Sequence, residues 1–255
     1  MWKDFLYKAI FYTPLRSLLL LLAGLISMTI CHPAQAQTKG LGSWNIVNFK
    51  YNLDNRWSAF AEAQLRPLQF YDQFHYYEYK GGFNFKVLPT FKLTFGAGQY
   101  VTYQEGGNFL IPKNNDEIRL WPQITLYKAL GRFKIEQRYR SEFRFTSNGY
   151  RPRFRFRVGV SYEFGERKKI ALSASNEIFL TNQNPYFERN RLLFTLSYKL
   201  TPTTAAQIGY LQQFDNRLND EIGIDFLQVG MYFEWSARRL NQQKASGNPT
   251  PLDID

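Results

Sequence analysis

From Lys134 to Phe164 the chain reads KIEQRYRSEFRFTSNGYRPRFRFRVGVSYEF, and its charges keep to every second position. Lys134, Glu136, Arg138, Arg140, Glu142 and Arg144 share one phase, while Ile135, Tyr139, Phe143 and Phe145 share the other with Gln137 and Ser141. After a short turn, Arg153, Arg155 and Arg157 alternate with Phe154, Phe156, Val158, Val160 and Tyr162. A helix would scatter both sets around its axis. Only an extended chain, whose side chains point to opposite faces in turn, separates guanidiniums from rings so cleanly.

The same period recurs along the chain. Ser43–Tyr51 is the first and weakest segment. Trp57–Arg66 follows, with Trp57, Ala59, Ala61, Ala63 and Leu65 against Ser58, Glu62, Gln64 and Arg66. Then come His75–Phe85, Phe91–Tyr103, Glu117–Tyr127, Phe133–Phe145, Arg153–Phe164, Ile170–Leu180, Arg189–Leu200, Thr204–Phe214 and Phe226–Trp235. These segments are about as long as a tilted membrane-crossing strand needs to be. They exceed the five or six residues usual in soluble sheets.

Connections alternate in length. Asn52–Asn55, Lys86–Thr90, Lys128–Arg132, Gly165–Lys169 and Thr201–Thr203 are expected as tight turns. Pro67–Phe74, Gln104–Asp116, Thr146–Pro152, Thr181–Glu188 and Asp215–Asp220 are expected as longer loops. That asymmetry fits an all-β, single antiparallel transmembrane β-barrel with short periplasmic turns and longer exterior loops. Within a range of ten to twelve strands, ten or twelve is expected rather than eleven. An odd count would make the first and last strands meet in parallel, which single-chain bacterial barrels avoid.

The N-terminus explains how such a chain reaches a membrane. Lys3, Lys8 and Arg16 form a basic region, Ser17–Ile30 is apolar, and Ala34-Gln35-Ala36 supplies the small residues of a cleavage site. The expected organisation is therefore a cleaved signal peptide at 1–36, a barrel at 37–235 and a disordered polar tail at 236–255. Cys31 would leave with the signal, so the exported chain has no disulfide, thiolate metal site or cysteine nucleophile. Taking Lys3, Lys8 and Arg16 from 32 basic residues, and Asp4 from 21 acidic ones, leaves a formal charge of +9. For an exported chain that excess suits lipid head groups and lipopolysaccharide rather than nucleic acid.

A secreted soluble barrel or sandwich would alternate just as regularly, with its rings inward. Yet even an eight-strand barrel has only enough interior for its own side chains, and eleven segments carry far more Phe, Tyr and Leu than that. With the apolar face toward lipid, the charges line the lumen. The expected lumen cluster is Glu117, Arg119, Glu136, Arg138, Arg140, Glu142, Arg144, Arg153, Arg155, Arg157, Glu177 and Arg191, with cross-strand pairs of opposite sign. Packed tightly it closes the barrel; with a gap it makes a narrow pore that favours anions, since arginines outnumber glutamates.

The segment Gln137–Phe145, QRYRSEFRF, resembles the most recognisable strand of an outer-membrane family known as domain of unknown function 2490. Glu117 to Trp121-Pro122-Gln123, Asn176-Glu177 and Phe187–Arg191 resemble its other recurring positions, in the same order. The similarity covers roughly Trp44–Trp235 and implies a Gram-negative outer-membrane barrel without an assigned activity. The last strand, ending in Phe233 and Trp235, is similar to the signal read by the outer-membrane assembly machinery, although here the chain runs on past it.

Against that implication stand other function classes. A lipid-modifying enzyme would need a histidine, and the exported chain has His75 alone, expected on the outward phase with Tyr77 and Tyr79 near the exterior rim. An interfacial aromatic-belt role is the plainer reading of that position. No spacing suggests a metal site or a cofactor. The expected function is a non-enzymatic barrel, either structural with a charge-plugged lumen or a narrow anion-favouring channel. The alternative is a surface-ligand binder acting through loop Glu105–Asn115. Intact mass of the exported protein should begin at Gln37; a retained N-terminus would refute the signal reading.

Overall fold

The computed structural model describes residues 40–216 and 222–237. They form eleven strands: β1 (Leu41–Asn52), β2 (Trp57–Gln69), β3 (Asp72–Leu88), β4 (Phe91–Tyr103), β5 (Lys113–Leu130), β6 (Phe133–Thr146), β7 (Gly149–Phe164), β8 (Ile170–Thr181), β9 (Phe187–Thr201), β10 (Thr204–Asp215) and β11 (Ile222–Ser236). Consecutive strands pair antiparallel, and β1 meets β11 to close the barrel. The expected signal peptide and most of the expected tail lie outside the described residues.

The expectation of ten or twelve strands gives way to eleven, and the closing pair is parallel. Its register is unbroken over twelve residues, from Leu41 opposite Asp225 to Asn52 opposite Ser236. A parallel ladder is slightly weaker per residue than an antiparallel one, and side chains reinforce this one on both faces. Outside, Phe49 stacks on Phe233 at 5.2 Å and on Trp235 at 6.0 Å between ring centres. Inside, Trp44 meets Phe226 edge-on at 5.9 Å. Near the last residues of the pair, Asn52 Nδ2 donates to Glu234 Oε1 at 2.6 Å.

Alternation decides which way each side chain points. Outward residues are apolar and strongly exposed: Phe83, Phe95, Ile118, Leu172 and Ile208 are each between 51% and 57% accessible. Neighbouring strands pair their rings across this face, as in Tyr139 with Phe156 at 4.9 Å and Phe133 with Tyr162 at 4.7 Å. The opposite phase faces the lumen, where Glu78, Glu117, Glu142 and Gln123 are almost fully buried. The barrel is therefore polar inside and greasy outside.

Two of the expected long loops are tight turns. β2 and β3 are joined by Phe70-Tyr71, and β6 and β7 by Ser147-Asn148. Pairing continues to both turns, past a bulge between Leu65 and Pro67 in β2–β3 and in unbroken register to Thr146 opposite Gly149 in β6–β7. At the β1–β2 turn on the opposite rim, Asp54 Oδ1 accepts from the Trp57 and Arg56 amides at 2.6 and 2.7 Å. Those donors hold its carboxyl below the usual range.

One bulge revises the position of His75. Leu65 faces Tyr77 and Pro67 faces Phe74, so Arg66 opposes two residues, His75 and Tyr76. The extra residue reverses the phase, and His75 borders the lumen instead of the outer face. Pro67 fits at this point because a bulge spares it the amide it lacks.

The parallel closure is directly testable. Cysteine pairs Ser43→Cys/Leu227→Cys and Tyr51→Cys/Trp235→Cys sit at opposite ends of the β1–β11 ladder. In a parallel ladder each pair cross-links on its own, visible as a mobility shift on a non-reducing gel. An antiparallel closure would bring at most one of the two pairs together.

Candidate functional site

The lumen is the candidate site. It holds a cavity of about 780 Å³ whose borders reach Gln104, Glu105 and Asn114 at one rim and Gly131, Lys168 and Lys199 at the other. All twelve residues of the expected charge cluster point into the lumen. Eleven border the cavity directly, and Glu142 lies behind Arg153 and Arg155, its side chain fully covered.

The register creates an electrostatic problem. Arg138 stands directly opposite Arg157, Arg140 opposite Arg155, and Arg144 opposite both Arg119 and Arg151. Like charges in that position repel. The expected picture of opposite signs facing each other directly is thus only part of the arrangement. Relief comes from carboxylates that each serve several guanidiniums, mostly along diagonals.

Glu142 receives Arg153 Nη2 at 2.6 Å and Arg155 Nη1 at 2.7 Å, with Arg140 Nη1 at 3.9 Å. Glu177 receives Arg138 Nη2 at 2.6 Å, reaching across β7, and a two-pronged donation from Arg155 at 2.9 and 3.0 Å. Glu117 is gripped by the forks of both Arg119 and Arg144. Glu136 accepts from Arg157. Such planar fork-to-carboxylate contacts are the stronger kind of charged hydrogen bond.

Several members of the network escaped the sequence reading. Glu188 approaches Arg144 at 3.4 Å and Arg153 at 3.5 Å. It is the extra residue of a bulge, since Phe179 faces Arg189 and Leu180 faces Phe187. Strict alternation would have sent it outward. Arg189 pairs in fork geometry with Asp215, and Arg66 and Lys80 pair with Glu78 at 2.6 and 3.0 Å. The β3 pair was legible from the two-residue spacing of Glu78 and Lys80.

Aromatic side chains were missed for a different reason, because they occupy the charged phase. Phe179 has no accessible surface, and Arg155, Arg191, Arg153 and Arg189 approach its ring centre at 4.5, 4.8, 5.1 and 5.8 Å. Trp121 fills the lumen over Gly96, where a Cβ would come within 2.4 Å of the indole. That glycine makes room for a bulky lumen neighbour.

A further apolar group faces inward from the strands around the closure. Trp44 and Ile46 (β1), Leu211 (β10), and Ile224 and Phe226 (β11) pack together, each no more than 8% exposed. The lumen therefore has one cationic wall and one greasy wall.

The remaining candidates carry less. His75 Nδ1 is buried without a hydrogen-bond partner, and the charged groups acting on it are Glu105 and Arg66. Loop 104–112 is tied down rather than extended: Phe109 packs on Tyr103 at 5.1 Å and Tyr77 at 5.7 Å, and Asn108 Oδ1 accepts from the Phe74 amide at 2.7 Å. Next to Phe109, Leu110 projects, at 91% exposure. Among the described residues, no group of three His, Cys, Asp or Glu side chains could hold a metal ion.

A closed barrel with an apolar exterior and a charged, cavity-bearing interior is the architecture of porin-like proteins. The chain belongs to the family described as "Protein of unknown function (DUF2490)", which matches residues 41–222. Among solved structures it is similar to a NanC porin, with a TM-score of 0.50 and 12% identity over 76% of this chain and 97% of the porin. At that identity the likeness concerns the fold. No curated protein matches the chain.

Glu142 is the sharpest test of the network. Glu142→Gln keeps the shape but removes the charge facing Arg153, Arg155 and Arg140, leaving them crowded without compensation. The barrel should lose about 3–5 kcal/mol of stability, the usual cost of breaking one side of a buried ion pair. Urea unfolding of protein reconstituted in liposomes, followed by tryptophan fluorescence, measures it.

Proposed function

We propose that this protein is a Gram-negative outer-membrane barrel, exported by a cleaved signal peptide, whose lumen forms a narrow, non-enzymatic, anion-favouring passive channel. The outward face supports the membrane setting. A continuous ring of Phe, Tyr, Leu and Ile that is half exposed around the barrel needs acyl chains beside it, because water tolerates only small apolar patches. Strands of 12 to 18 residues are long enough to cross. Charges at that lipid face would cost about 2–4 kcal/mol each near the midplane, and they are turned inward instead.

The observation that carries the channel reading is the cavity border. It runs from rim to rim, and sixteen Lys and Arg line it against nine Asp and Glu. A lumen with that imbalance concentrates anions and repels cations. At one end, small residues such as Gly159, Ser161, Ser173 and Ser175 leave width, and Lys168, Lys169 and Lys199 ring the opening. We place that end in the periplasm, with Phe233 and Trp235 presented to the assembly machinery and the longer loops 104–112 and 182–186 outside.

A second reading, a structural barrel with a closed lumen, is favoured by the density of the network toward the other end. There Glu117, Glu142, Arg153 and Arg191 are all under 9% exposed. Planar-bilayer recording separates the two. The channel reading expects small, steady currents whose reversal potential in a KCl gradient shows chloride preferred. Lys169→Glu combined with Lys199→Glu should weaken that preference. Correctly inserted protein that passes no current would establish the plug.

A further inference from the structure

The greasy wall is unexplained by an anion channel alone. Trp44, Ile46, Leu211, Ile224 and Phe226 face the lumen rather than the lipid side, and they border the same 780 Å³ cavity as the arginines. An inorganic anion gains nothing from such a surface. A polyhydroxylated one would lose hydration against these five side chains.

The two walls meet at Trp44. Arg66 lies 3.7 Å from the centre of its ring and Arg191 lies 4.8 Å from it. Arg191 also lies 4.8 Å from the Phe179 ring centre, and its Nε donates to the amide oxygen of Gln213 at 2.9 Å. Glu177 faces Arg191 in the register, yet its oxygens receive Arg138 and Arg155. Arg191 is thus held by two ring faces and an amide, with its charge turned to the cavity. Two further buried donors on the cavity border, Trp121 Nε1 and Arg138 Nε, have no hydrogen-bond partner. Guanidinium, flat rings and unsatisfied donors around one space make a binding site of ordinary ligand size.

We propose that the lumen selects organic anions bearing an apolar body, such as aryl or short-chain alkyl carboxylates. The carboxylate sits on Arg191 and the body lies along Trp44, Ile224 and Phe226. This rests on the channel reading, whose substrate class it names.

The test uses the full exported chain in planar bilayers. Chloride current is measured while 3-phenylpropionate, acetate or the neutral 3-phenylpropanamide is added. 3-Phenylpropionate should block at a concentration about tenfold lower than acetate, since burying the aryl body adds at least that much affinity, and the amide should not block. In Phe226→Ser the ratio between the two acids should fall to about one; Trp44→Leu serves if that variant does not insert. Arg191→Gln should weaken the block by 3-phenylpropionate. A chloride current blocked equally by both acids overturns the selectivity and leaves the channel standing. Absence of current removes the channel instead. Tryptophan quenching in liposomes then decides the site: stronger quenching by 3-phenylpropionate than by acetate sustains it, and equal quenching overturns it.

Discussion

Everything in this barrel depends on carboxylates shared among arginines. The ladder between β5, β6 and β7 sets guanidinium opposite guanidinium at four positions, and in a medium of low dielectric constant that crowding would be costly. Glu117, Glu142 and Glu177 each lie between two or three cations and turn the repulsion into a lattice. Desolvating so many ions offsets much of the attraction, so the lattice specifies more than it stabilises. A slip of one residue would turn the lumen charges outward and the outward rings into the lumen. The network thereby fixes the register that produces it.

Most of this was legible from spacing. Where a strand alternates strongly, as β6 and β7 do, its faces and the lumen cluster follow from period two alone. Three features were not. The bulges at Arg66 and at Glu188 insert one residue and reverse the phase, which brings His75 and Glu188 to the lumen; a rule that counts in twos cannot register an added one. The inward face of β1, β10 and β11 mixes apolar residues with Asn48, Gln207, Gln213 and Gln228, so the contrast of polarity that would mark Trp44, Leu211 or Phe226 as lumen residues is weak. The expectation of an even strand number rested on the avoidance of a parallel closure, yet Ser43–Tyr51, the weakest segment, pairs with β11 over its full length and the closure is parallel.

The two-walled lumen follows from the same division of labour. The densest part of the ion lattice lies on β5 to β9, with further pairs on β2, β3 and β10, while packing dominates beside the closure. Aromatic contacts support the parallel ladder from both sides, with Phe49 on Phe233 outside and Trp44 on Phe226 inside. A closure built on charges would have competed with the lattice for counter-ions. Building it on rings leaves a greasy surface inside a cationic barrel, and any molecule passing through would meet both.

An odd number of strands also has a plain topological result. Because β1 and β11 run the same way, Leu41 and Ser236 emerge at opposite mouths of the cylinder. Under the outer-membrane reading proposed above, labels attached at Leu41 and at Ser236 would therefore report on opposite sides of the bilayer.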